Sequence, residues 1–260
     1  MPLDGNARVP WVVKYGGNAM GDPATRRAFA AALAALAAQQ GPGVVVHGGG
    51  PYIQAGLDEA RIESSFEGGR RVTGDDAIGI VENVLSVLGK HLAGEIGDAV
   101  ALTGRDARVL EAEVADPALG RVGRITAVRT ELLVGLAALG MVPVLACLAV
   151  DEAGAPLNVN ADDVAGAVAG ALAAPVAFLT NVPGVLDDPS DPTTLVRELR
   201  EDDVRARIAD GRIAGGMIPK VESALNALAW GAPEALIADG RAPDRLRDAL
   251  SGRQGTRFLR

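Results

Sequence analysis

The sequence predicts an α/β fold: a three-layer αβα sandwich with a mainly parallel central sheet. Two observations carry that expectation. Short apolar runs alternate with longer Ala- and Leu-rich stretches whose apolar residues recur at helical spacing. A strand, a helix and a further strand of the same sheet make a parallel pair with the helix on one face. A third observation bears on extent. No linker interrupts the alternation along the 260 residues, so a single domain over 1–260 is expected, its continuous sheet carrying two lobes that meet near residue 180.

The elements follow in order. VPWVVKY (Val9–Tyr15) reads as a buried strand. DPATRRAFAAALAALAAQQ (Asp22–Gln40) reads as a helix, with Asp22 as its N-cap and Pro23 in the first helical position. VVVH (Val44–His47) is a second buried strand, and a helix is expected from about Pro51. Apolar residues at helical spacing predict a helix over Asp75–Ile96, followed by a strand over Ala99–Gly104. Residues 107–129 read as hairpins, with Asp116-Pro117 and Leu119-Gly120 as turn signals. Thr130–Gly140 is a helix ended by glycine, and Met141–Val150 one strand. The second half opens with a helix starting just after Asn160. A strand over Val176–Val182, helices over Glu201–Asp210 and from about Gly216 to Trp230, a strand over Ala235–Gly240 and a helix over Pro243–Ser251 complete the chain.

Composition excludes several classes of function. Asp plus Glu number 33 against 25 Lys plus Arg, a net charge of −8, which argues against binding nucleic acid through a broad cationic surface. One cysteine, Cys147, excludes an internal disulfide framework and fits a reducing compartment, so a cytoplasmic protein is expected. No apolar run approaches the length of a membrane span.

The 33 glycines are clustered, and the clusters carry the chemistry. Lys14-Tyr15-Gly16-Gly17 directly follows the first strand, and Gly48-Gly49-Gly50-Pro51 the second. Each stands at the carboxyl end of a strand and ahead of a helix, where ligands sit in open α/β sheets. Glycine lets backbone amides approach an anion, and helix N-termini favour negative charge. Neither cluster is a Walker A loop, and GxGxxG is absent after a strand. Arg70-Arg71-Val72-Thr73 offers a guanidinium for a carboxylate, or a solvated arginine in a hairpin. Asn158-Val159-Asn160-Ala161-Asp162 sets two asparagines on one face of an extended segment. Asn160 or Asp162 can serve as N-cap, which leaves a second polar group free. Gly215-Gly216-Met217-Ile218-Pro219-Lys220 again pairs glycines with a lysine at a helix start. A lysine there opposes the helix dipole and calls for an anion, unless its stem reaches solvent.

Taken in order, VVKYGGNAM (Val12–Met20), VVVHGGGP (Val44–Pro51), RVT (Arg71–Thr73), NVNAD (Asn158–Asp162), LTNVPGVLDD (Leu179–Asp188) and GGMIPKV (Gly215–Val221) resemble the amino acid kinase family over nearly the whole chain. KYGGNAM and GGMIPK are similar to the members that phosphorylate N-acetyl-L-glutamate. The resemblance implies ATP-dependent phosphorylation of the γ-carboxylate of that amino acid to N-acetyl-L-glutamyl 5-phosphate, in arginine biosynthesis. It implies an N-lobe of about 1–175 that binds the amino acid and makes a dimer contact, and a C-lobe of about 176–260 that binds ATP. Lys14 and Lys220 would flank the transferring phosphoryl group, with Asp162 holding both lysines. Gly16, Gly17, Gly49 and Gly50 would offer amides to phosphate or substrate. Arg71, Asn158 and Asn160 would bind the amino acid. Asn181, Val182, Gly184, Val185 and Leu186 would line the nucleotide site with Gly215 and Gly216. Mg²⁺ would be held mainly by ATP phosphates and water, with no dedicated protein metal site.

The chain departs from the family pattern at Gly74, at Asn181 and in HLAGEI (His91–Ile96). Asn181 and ALSGRQGT (Ala249–Thr256) are similar to the relative that phosphorylates α-aminoadipate carried on an acidic protein, which stands as the alternative substrate. An inactive amino acid sensor on the same fold is a second alternative. Arginine-inhibited members carry an extra N-terminal helix. Pro2, Gly5 and Pro10 disfavour one here, so an arginine-insensitive homodimer is expected. His47, His91, Trp11, Trp230 and Cys147 read as structural, and the helix over Asp22–Gln40 as a dimer or scaffold element.

Overall fold

A computed structural model describes residues 8–16, 22–188, 190–241, 246–251 and 253–260. The N-terminal half contains β1 (Val12–Tyr15), α1 (Pro23–Gln40), β2 (Val44–His47), α2 (Gly50–Glu59), β3 (Phe66–Glu67), β4 (Arg70–Arg71), α3 (Ile78–Ile96), β5 (Ala99–Leu102), β6 (Leu110–Val114), β7 (Gly123–Val128), α4 (Glu131–Ala138) and β8 (Val142–Ala146). Then come β9 (Leu148–Val150), β10 (Pro156–Asn158), α5 (Ala161–Leu172), β11 (Val176–Thr180), β12 (Glu198–Arg200), α6 (Glu201–Ala209), α7 (Ile218–Trp230), β13 (Ala235–Asp239), α8 (Leu246–Leu250) and β14 (Thr256–Leu259).

Eight strands form one sheet in the order β12-β14-β13-β11-β1-β2-β8-β5. Every neighbouring pair is parallel except β13–β14. The mainly parallel αβα sandwich is therefore present. Strand residues alternate between its two faces, as period-2 geometry requires. Val12, Val44, Val46, Val176 and Ile237 pack with α5 and α7 in one core. Val13, Tyr15, Val45, Ala177 and Leu236 pack with α1, α8 and the second half of α3 in the other.

Local chemistry accounts for the helix starts. The Asp22 carboxylate accepts from the Ala24 and Thr25 amides, with Pro23 at the first helical position of α1. Asn160 does the same for α5, accepting from the amides of Asp162 and Asp163. The Arg26 guanidinium meets the Glu95 carboxylate bidentately at 2.7–3.0 Å and ties α1 to α3.

The structure corrects several expectations. Met141–Val150 is not one strand. The chain breaks at Cys147, and β9 leaves the main sheet for a second one of order β10-β9-β6-β7. An unbroken apolar run hides such a break, because both sheets bury that segment. The three-residue strands β10 and β12 are too short to show a period, and β14 carries Thr256 and Arg257 among its apolar residues. Trp11 is buried as expected, but Trp230 is 41% exposed. The start of the expected last helix, residues 243–245, lies outside the described residues. Burial pushes the Cys147 thiol up to about 12, so it is a core residue with no reactive thiolate.

Two outcomes are expected from this packing. α5 crosses α7 so closely that a Cβ on Gly170 would stand 2.5 Å from the Trp230 carbonyl carbon. Gly170→Ala should therefore destabilise the protein by about 1–3 kcal/mol, although alanine favours a helix, seen as a lower urea midpoint at unchanged m. His47 is fully buried, and burial lowers its imidazole from 6.5 to about 4. The unfolded chain then binds a proton that the folded one refuses. Stability from the neutral ring is intact above pH 6.5 and lost as pH falls toward 4, by about 3 kcal/mol. Unfolding at pH 7 and 4.5 should show a smaller acid loss in His47→Leu than in wild type; equal losses would refute this.

Candidate functional site

Parallel pairing sets the carboxyl ends of β1, β2, β11 and β13 along one edge of the sheet. A cleft of about 900 Å³ opens there, reached also by the first turns of α5 and α7. Of the residues expected in the site, Lys14, Gly16, Asn160, Asp162, Asn181 and Lys220 line it.

Lys14 points from β1 toward α5, and its Nζ lies 3.0 Å from Asp162 Oδ1. Asn160 caps the helix, so the Asp162 side chain is free to meet the lysine. The pair is largely buried, its side chains 17% and 24% exposed. Asp162 does not hold both lysines. Lys220 Nζ turns back to the Gly216 carbonyl at 3.1 Å. Four cations line the cleft: Lys14, Arg70, Lys220 and Arg241. Arg70 pairs with Asp163 and Arg241 with Asp239. Lys220 alone has no carboxylate partner among the described residues.

A second cluster adjoins the glycine loop after β2. The buried Arg71 donates to Gln54, Ser64 and the Gly50 carbonyl, and lies over the Phe66 ring at 4.6 Å. The Arg71 carbonyl accepts from Thr73 Oγ1, and that oxygen accepts from Asn158 Nδ2 at 3.1 Å. Gly50, Arg71 and Asn158 are thus joined in one network. Burial lowers the Arg71 pKa, and no carboxylate forms an ion pair with it among the described residues. A buried cation held only by neutral acceptors leaves room for an anionic ligand.

Other expected site residues stand elsewhere. Gly17 lies outside the described residues. Gly49 is the buried N-cap of α2 and is not among the residues lining the cleft. Val182, Gly184, Val185 and Leu186 shape the loop after β11. There the Val185 amide donates to Thr256 Oγ1, and Leu186 bridges to Leu195. Gly215 and Gly216 form the exposed turn before α7, Gly215 in the left-handed region at φ 55°. Among the described residues no group of three or more His, Cys, Asp or Glu side chains converges as a metal site.

Charged lining residues that sequence reasoning did not assign to the site include Arg70, Arg241 and Asp163. Of the adjacent arginines it chose Arg71, whereas Arg70 faces the cleft. Strand alternation says that one of the two must, without saying which. Gly240-Arg241 follows β13 as the first glycine clusters follow β1 and β2, a signal that was available. Asp163 follows Asp162 and carries a pKa raised by burial, with Arg70 opposing the rise.

The family model "Amino acid kinase family" matches residues 10–239. The acetylglutamate kinase of Deinococcus radiodurans is 50% identical over 248 residues, 95% of this chain and 99% of that protein. An acetylglutamate kinase of Thermus thermophilus is 48% identical over 251 residues, 95% and 97% of the two chains. The solved carbamate kinase of Giardia lamblia bound to AMP-PNP shares the fold, with a TM-score of 0.72 at 18% identity over 98% of this chain and 99% of that one. With a model matched across most of its length and relatives near half identity, the chain belongs to the amino acid kinase family.

Proposed function

We propose that this chain catalyses ATP-dependent phosphorylation of the γ-carboxylate of N-acetyl-L-glutamate, giving N-acetyl-L-glutamyl 5-phosphate and ADP. The observation that carries the reaction class is the pairing of Lys14 with Asp162 in one cleft with Lys220, whose ammonium has no carboxylate partner there. The acceptor rests on relatives of 50% and 48% identity whose names state that activity.

The chemistry suits the residues. A carboxylate nucleophile is ionised at neutral pH, so no general base is needed. One γ-carboxylate oxygen attacks the γ-phosphorus, and the bond from phosphorus to the β,γ-bridging oxygen breaks. The work left to the protein is alignment and neutralisation of charge on the transferred group. Lys14 and Lys220 would flank that group, with Asp162 orienting Lys14. Arg71 would take a carboxylate of the amino acid, with Asn158 beside it. The N-lobe of about 1–175 would hold the amino acid. The C-lobe of about 176–260, with Asn181 at the cleft, would hold the nucleotide. Mg²⁺, bound to the ATP phosphates and water, would supply charge neutralisation. We place the enzyme in the cytoplasm as a homodimer, on its single buried cysteine and its kinship with biosynthetic kinases.

The carrier-protein acceptor is not favoured. The hairpin of β3 and β4 bordering the cleft exposes Phe66 and Glu67, and its Arg70 is already paired with Asp163, whereas docking an acidic protein calls for a basic surface. Retention of Lys14, Asp162 and Lys220 together weighs against an inactive sensor.

Purified protein with ATP and N-acetyl-L-glutamate should release ADP and form an acyl phosphate that hydroxylamine traps as a hydroxamate. No hydroxamate here, with turnover on carrier-linked aminoadipate, would overturn the acceptor. Lys14→Ala and Lys220→Ala should each lower kcat by about 10²–10³-fold with near-normal thermal unfolding. Near-wild-type kcat in both would remove the assigned roles. Arg71→Gln should raise KM for the amino acid far more than KM for ATP.

A further inference from the structure

The last residue of β2 is a histidine that phosphoryl transfer does not use. His47 is fully buried, and its Nε2 has no hydrogen-bond partner. Its Nδ1 lies 3.2 Å from the Gly48 carbonyl oxygen. A carbonyl only accepts, so Nδ1 carries the proton and Nε2 is left bare. The ring wedges against α3 at Gly89, where a Cβ would stand 2.8 Å from Nε2. An orphaned ring nitrogen and a mid-helix glycine are both destabilising. Two such costs at one contact call for a compensating role.

We propose that His47 is a positioning residue: by holding the Gly48 carbonyl it turns the Gly48–Gly49 peptide so that the Gly49 N–H faces the Lys14 side of the sheet as an anion donor. The geometry runs through three steps. Along β2 the His47 side chain falls on the same face as Val45, which packs in the α1–α3 core. Lys14 projects from the opposite face, that of Val12 and Val46. C=O and N–H of one trans peptide point in opposite directions, and the described chain has no cis bond. Drawing the Gly48 carbonyl to the first face therefore sends the Gly49 N–H to the second, where it has no acceptor among the described residues. Burial keeps the ring neutral at working pH, so the one-proton form persists. The proposal deepens the kinase reading by naming what aims one amide of the site.

His47→Leu fills a similar volume and removes both ring nitrogens, whereas His47→Asn sets an amide Nδ2 about where Nδ1 stands. His47→Leu should lower kcat roughly 10²-fold with little change in KM, while its unfolding midpoint stays at or above wild type. His47→Asn should recover most of kcat. Gly89→Ala, which presses the ring from α3 and touches nothing in the cleft, should lower kcat in the same direction. Wild-type kcat in His47→Leu, or kcat losses that follow unfolding midpoints across the variants, would overturn the assignment. The tautomer is read without turnover by long-range ¹H–¹⁵N correlation of the ring. A proton on Nδ1 supports the proposal and one on Nε2 overturns it. A wild type that makes no acyl phosphate sinks the acceptor reading, while the ring spectrum still decides the role of His47.

Discussion

The cleft depends on one constraint, the parallel pairing of β1 between β2 and β11. Lys14 stands opposite Val46 on one side and Phe178 on the other. That register joins residues far apart in the chain and brings every neighbouring loop out at the same edge. Because side chains alternate along β1, Lys14 must share a face with Val12, toward α5, and Tyr15 must share one with Val13, toward α1. A one-residue slip would send the lysine into an apolar core and bring Tyr15 to the helix that carries Asp162.

Electrostatics in the cleft are local. The chain carries a net charge of −8, yet the cleft gathers four cations, three of them matched by an aspartate. Matching holds each side chain in place and lowers the cost of keeping the charge partly out of water. Lys220 bonds only a carbonyl, and Arg71, buried among neutral acceptors, is a second cation without a carboxylate ion pair among the described residues. A small polyanion can be recognised this way without a basic exterior.

Most of the architecture was legible because its signals are local. Asp22-Pro23 and Asn160 mark helix starts through capping chemistry that needs nothing from elsewhere, and both were placed correctly. The apolar runs of β1, β2 and β11 are long enough to show burial on both faces. The break at Cys147 was hidden, because the choice between one sheet and two is made by tertiary packing. The site was legible in part. Glycine clusters beside lysines located the cleft, and Asp162 was set on Lys14. Whether Asp162 reaches Lys220 as well as Lys14, and which of two adjacent arginines faces inward, are decided by rotamer and register, which a sequence does not contain. The loop of Val182–Leu186 was expected at the nucleotide; what holds it, the bond from the Val185 amide to Thr256, reaches 71 residues along the chain and leaves no local signal.

The strand order also constrains how the molecule is made. β14 lies inside the sheet between β12 and β13, and Thr256 at its start donates to the Val196 carbonyl while accepting from the Val185 amide. As the chain leaves the ribosome, β1 waits for β11, and β12 has no neighbour in the sheet until β14 is made. The eight-stranded sheet can therefore be completed only after synthesis has passed residue 259. Until then the nascent protein presents unpaired strand edges, a window in which chaperones and misassembly compete.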